Sequence, residues 1–145
     1  MRKTATIAIE APGRDAGKVF FLRELSASQA EKWAARAFLG LAKSGVDIPD
    51  DISRAGLAGI AAMGLRAIGG MQFAELEPLL DEMFACVQII PDPTRPIVIR
   101  ALIEDDIEEV STRLRLRKEV FGLHVDFSAA GAFLTSGTAP AQAGA

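Results

Sequence analysis

The stretch Glu104–Phe127, EDDIEEVSTRLRLRKEVFGLHVDF, places its acids first (Glu104, Asp105, Asp106, Glu108, Glu109) and its bases later (Arg113, Arg115, Arg117, Lys118). A helix macrodipole favours that order, so the stretch reads as a committed helix and not as a charged tail. At about 100° per residue, Ile107, Val110, Leu114 and Phe121 share a sector of roughly 60°, and Glu109 to Arg113 is a favourable i,i+4 ion pair. This predicts one narrow apolar stripe against a core. Leu116 falls on the opposite side, where it either meets a second layer or is exposed for a partner.

A chain of 145 residues with 50% apolar content suits a single domain with a real core. The net charge of −3, from charges of both signs mixed along the chain, gives no footprint for nucleic acid or an anionic membrane. The single cysteine, Cys86, excludes an intramolecular disulfide framework and fits a reducing compartment. No apolar run suits a signal peptide or a membrane span, so the expectation is a soluble, cytoplasmic protein.

Alternation in Thr4–Ile9 and the run Val19–Leu22, joined by APGRDAG, predict a β-hairpin over 4–25. Ser28 and Glu31 form a capping-box pattern, and Trp33, Ala37 and Leu41 recur at i,i+4, predicting a helix from Ser28 to Ser44 with Trp33 in the core. Ile52–Ile68 is apolar on nearly every side of a helix, with Gly56, Gly59 and Gly64 permitting close approach of another backbone. In ELEPLLDEMFACVQII, a stripe of Leu76, Leu79, Leu80, Met83, Phe84 and Val87 predicts a further helix, regular from Glu77 because Pro78 lacks an N–H. PDPTRP bars a helix and reads as a connector. From Ser128 the chain is small and uncharged, a flexible tail.

The fold expected from these patterns is mainly α, a compact bundle of about four helices with a small N-terminal β-hairpin and a flexible C-terminal tail. Residues 1–127 form one domain (4–25 hairpin, 28–127 mainly helical), and 128–145 the tail.

No catalytic, cofactor or metal constellation stands out. Gly13-x-x-x-Gly17-Lys18 has one residue too few between its glycines for a phosphate loop, lacks Ser or Thr after the lysine, and precedes a strand run instead of a helix. It reads as a hairpin loop. Cys86 sits in an apolar setting that raises a thiol pKa, and the lone His124 lacks an orienting third group or metal companions at ligand spacing. The paired acids near Glu104 are explained by the macrodipole, and the basic residues after Val110 spread over a wide arc of the helix.

Several short blocks occur in order: a sheet-forming N-terminus, Ala30-Glu31-Lys32-Trp33-Ala34, Pro78-Leu79-Leu80-Asp81-Glu82-Met83, then Asp106-Ile107-Glu108-Glu109-Val110 through Leu123-His124-Val125-Asp126-Phe127. Over roughly Ala5–Phe127 the chain resembles the tail assembly chaperones of long-tailed (siphovirus-type) bacteriophages and prophages. The resemblance implies a non-enzymatic protein of the host cytoplasm, not part of the mature virion and without cofactors. Such a protein binds the tape measure protein and keeps its apolar helices soluble while the tail tube assembles. It also implies self-association into a homo-oligomer, and, in a longer frameshifted form, contact with tail tube protein; this chain matches the short form. Neither nucleic acid nor membrane is an expected partner.

That family supplies no motif residues with binding roles, so the partner or self-association surface is assigned from the residues themselves: Leu57, Ile60, Leu65 and Ile68 on the apolar helix, with Leu116 as a secondary candidate. Two other readings are a small cytosolic thiol-dependent enzyme using Cys86 and His124, and a DNA-associated regulatory protein. Native-state alkylation of Cys86 and salt-sensitive retention on duplex DNA distinguish them.

Overall fold

The computed structural model describes residues 1–43 and 71–124. In chain order these form β1 (Thr4–Ala8), β2 (Val19–Arg23), α1 (Ala27–Lys43), α2 (Phe73–Phe84), β3 (Val87–Ile90), β4 (Arg100–Ala101), a 3-10 turn at Glu104–Asp106 and α3 (Val110–His124). The described residues therefore build a mixed α/β fold, with three helices and a four-stranded antiparallel sheet in the order β1-β2-β3-β4. This corrects the expected bundle of about four helices with an appended hairpin. The apolar segment Ile52–Ile68 and the tail 128–145 lie outside the described residues.

The hairpin is where its alternation placed it, with Thr4 opposite Arg23 and Ala8 opposite Val19. Its loop closes through a bulge: the Ile9 N–H donates to the Lys18 carbonyl at 2.9 Å and the Gly17 N–H to the Ile9 carbonyl at 2.8 Å. Gly17 has φ +83°, a conformation that glycine adopts without the Cβ penalty.

What enlarges the hairpin into a sheet is Val87–Ile90. Read by periodicity, Val87 continues the α2 stripe; in the structure α2 ends at Phe84 and the next residues become β3. Val87 and Ile89 pair with Leu22 and Phe20, and all four side chains are buried on one face. A four-residue run with three β-branched side chains gains more from completing that apolar face than from one further helical turn. The PDPTRP connector then turns the chain back to β4, with the Asp92 carboxylate accepting from the Thr94 N–H at 3.0 Å and its hydroxyl at 2.6 Å.

Two helix starts also differ from expectation. For α1 the reciprocal cap is Ser26 with Gln29, two residues earlier than Ser28 with Glu31. The Ser26 N–H donates to Gln29 Oε1 at 3.1 Å and the Gln29 N–H to Ser26 Oγ at 3.4 Å. Helix α2 begins at Phe73 and carries Pro78 inside it, giving up the hydrogen bond that residue 78 would otherwise donate.

The third correction concerns α3. Its buried face is Thr112, Leu116 and Val120, whereas Val110 and Leu114 are 73% and 59% exposed. The predicted stripe failed because Ile107 is not helical: it has φ −122° and ψ 118° and lies ahead of the helix. Without it, the i,i+4,i+8 set Thr112–Leu116–Val120 fixes the helix phase. Leu116 is 0% exposed, a core residue and not a surface offered to a partner.

Helix α2 lies between α1 and α3, and α3 also touches β1 and β2. Between sheet and helices the core joins Ile9, Phe20, Leu22, Val87 and Ile89 to Trp33, Leu79, Met83, Leu116 and Val120. Trp33 is buried as its stripe predicts. Its indole N–H donates to the Leu79 carbonyl at 2.9 Å, and its ring meets Phe121 edge to face with centroids 5.5 Å apart.

Candidate functional site

Among the described residues three places bear on function: the charged loop after β1, the surroundings of Cys86 and His124, and the cleft between α1 and α2.

The loop that carries Gly13, Gly17 and Lys18 is folded onto the start of α3. Asp15, 1% exposed, accepts the backbone N–H of Glu108 at 3.0 Å and of Glu109 at 2.9 Å, the two residues just ahead of that helix. Burial alone would raise its carboxyl; the Lys18 ammonium, those two amides and the Thr112 hydroxyl outweigh it and hold the group well below the usual carboxylate range. Lys18 Nζ reaches Asp15 Oδ1 at 2.8 Å, the Asp106 carbonyl at 3.0 Å and Glu108 Oε2 at 3.2 Å, which matches its three donors with three oxygens. Arg14 adds Nε to Glu109 Oε1 at 3.0 Å and Nη2 to the Glu108 carbonyl at 2.7 Å. Just upstream, Arg100 holds Asp106 through both guanidinium arms at 2.7 and 2.8 Å, and Asp106 also accepts the Ile103 N–H. These groups form a clasp that fastens the hairpin loop to the residues just ahead of α3, and Lys18 directs its ammonium inward.

Cys86 is buried, and that burial pushes its thiol up to about 11. His124 is engaged at both ring nitrogens: Nε2 accepts the Leu25 N–H at 2.8 Å, which leaves Nδ1 to donate to the Val120 carbonyl at 2.8 Å. The imidazole thus holds the end of α3 to the segment after β2. Among the described residues no group of three or more His, Cys, Asp or Glu side chains has the arrangement to hold a metal ion. No described helix is long and apolar enough to cross a membrane.

The cleft between α1 and α2, of about 370 Å³, is lined by Leu39, Gly40, Met71, Pro78 and Leu79 with Arg36, Lys43 and Glu75 at its edges. Leu39 is 71% exposed, and Phe73, at the start of α2, is 68% exposed. Ion pairs from Arg36 to Glu82 and from Lys43 to Glu75, the latter at 2.9 Å, tie the two helices together beside it. Gly40 allows the close approach: a Cβ there would collide with the terminal methyl of Met71.

Of the residues assigned to a partner surface from sequence, Leu57, Ile60, Leu65 and Ile68 lie outside the described residues, and Leu116 is in the core. The cleft residues were not singled out. Leu39 carried the available signal, as an apolar residue off the Trp33–Ala37 face of its helix. Comparison of the chain with known protein families, with curated proteins and with solved structures finds no match.

Proposed function

We propose that this chain is a non-enzymatic tail assembly chaperone of a long-tailed bacteriophage or prophage, holding apolar helices of a tape measure protein in solution in the host cytoplasm until the tail tube encloses them. The observation that carries the reading is the α1–α2 cleft, with an apolar floor, a rim of paired charges, and Leu39 exposed in its lining. An amphipathic helix docks through apolar residues at i, i+3, i+4 and i+7 into such a groove, and a rim of charges orients it without adding much affinity. The order of short sequence blocks that resembles tail assembly chaperones supports the same reading. In this scheme the tail tube protein meets a longer frameshifted form of the chaperone, and the mature virion contains neither form.

Co-expression with a tape measure protein tests it. The chain should keep the tape measure in the soluble fraction and co-purify with it. The substitution Leu39→Glu should abolish both effects while leaving the far-ultraviolet circular dichroism unchanged, because that side chain lines the cleft and is exposed. A tape measure protein that is equally soluble without the chain, or equally retained by the Leu39→Glu variant, sinks the reading.

A further inference from the structure

Among the described residues, strand β1 occupies one end of the sheet and has a neighbour only in β2. The Ile9 N–H and the Lys3 carbonyl both bond inward, to Lys18 and Glu24, which fixes the alternation of the ladder. The backbone groups of Thr4, Thr6 and Ala8 therefore point away from the sheet. Among the described residues, only the Ala8 carbonyl meets a side chain there, Arg115 Nη1 at a long 3.4 Å. The side chains of Arg2, Thr4, Thr6, Ala8 and Glu10 are all exposed, on the face of the strand opposite Ile7 and Ile9. Edge strands are ordinarily blunted by an internal charge, a proline or a covering element. Thr-Ala-Thr-Ile-Ala has neither charge nor proline within it.

We propose that this edge pairs with the same edge of a second copy of the chain, antiparallel about a twofold axis at Thr6, joining two four-stranded sheets into one. The charges flanking the strand select both occupant and register. With Thr6 opposite Thr6 and Thr4 opposite Ala8, Arg2 of each copy lies opposite Glu10 of the other, giving an oppositely charged cross-strand pair at each end. A shift in one direction sets Arg2 against Ala8 and leaves Glu10 unopposed. A shift in the other sets Thr4 against Glu10 and Arg2 against Pro12, which has no N–H to contribute. The pairing does not depend on the chaperone reading, since the α1–α2 cleft is formed by other elements.

Sedimentation velocity of the full chain over a concentration series tests the pairing. A reversible dimer is the expected result. Thr6→Pro should be monomeric with unchanged circular dichroism, because the N–H it removes faces outward and proline is tolerated at a strand edge. Should that variant unfold, Glu10→Arg decides: it places like charges at both ends and should raise the dimer dissociation constant about tenfold, with Arg2→Glu in the same chain restoring it. A monomeric wild type, a dimer indifferent to Glu10→Arg, or an edge that accepts an extended peptide from another protein but not a second copy overturns the proposal.

Discussion

The carboxylate of Asp15 and the backbone N–H of Glu109 meet at 2.9 Å across 94 positions of sequence, fastening the hairpin loop to the residue just before the last helix. Residues 104–109 contain the acids that a helix start favours, yet Asp106 and Glu109 are committed to Arg100 and Arg14, and the oxygens that receive the Glu108 and Glu109 amides arrive from the hairpin loop. The N-terminal hairpin and the C-terminal helix are therefore one cooperative unit.

Loss of that contact should be costly and dependent on pH. Asp15→Ala leaves two part-buried amides without their acceptor and the Lys18 ammonium with two of its three oxygens, and should lower the unfolding free energy by about 3 kcal/mol, measured by urea denaturation at pH 7. The Asp15 carboxyl sits lower in the folded chain than in the unfolded one, so its contribution is complete above the unfolded value of about 4 and is lost as pH falls toward the folded value. Wild-type stability should fall with acidification below about pH 4, and the difference between wild type and Asp15→Ala should shrink over the same range. A difference that stays constant down to pH 2 would show that the carboxylate is not the source.

The phase of α3 gives a second test. Leu116→Ala opens a cavity beneath the helix and should cost about 2–5 kcal/mol, whereas Leu114→Ala, on the exposed side, should change stability by no more than about 0.5 kcal/mol. Equal effects at the two positions would restore the stripe through Val110 and Leu114.

The difference between these two leucines shows why part of the fold was legible and part was not. The hairpin, the Trp33 face of α1 and the PDPTRP turn are set by neighbours within a few residues, and local alternation, i,i+4 recurrence and proline chemistry reveal them. Three features depend on distant residues. Val87–Ile90 is a strand because Phe20 and Leu22 wait opposite it. Thr112 can be buried because Asp15 receives its hydroxyl, so a position that reads as polar belongs to the core face. Ile107 leaves the helix because the clasp holds Glu108 and Glu109. Periodicity records none of these pairings. The candidate cleft was hidden for the same reason, since α1 and α2 supply one wall each and only Leu39 broke a local pattern.

Thiol reactivity is a third measurable consequence. Burial of Cys86 raises its thiol to about 11, so at pH 8 only about one molecule in a thousand carries the thiolate. Iodoacetamide should modify the native chain at least about a hundredfold more slowly than the chain in denaturant. The native rate should climb with pH for as long as the fold persists, because the buried group titrates later than a free thiol. Rapid alkylation of the native chain at pH 8 would return Cys86 to consideration as a nucleophile.

The closest test of the cleft is Gly40→Ala. In a helix interior the added methyl favours the fold by about 1 kcal/mol over glycine. Here it also collides with the terminal methyl of Met71, which has to swing aside. That methyl is the far end of a flexible side chain, so the displacement should cost about as much as the helix gains, and the melting temperature should move little. Met71 nevertheless lines the cleft, and displacing it changes the surface that a docked helix would meet. Gly40→Ala should therefore bind a tape measure helix less well than wild type at nearly unchanged stability, with affinity read by isothermal titration calorimetry and stability by thermal melting. Unchanged affinity would move the docking surface away from the α1–α2 cleft, while a large fall in melting temperature would show that Met71 cannot yield.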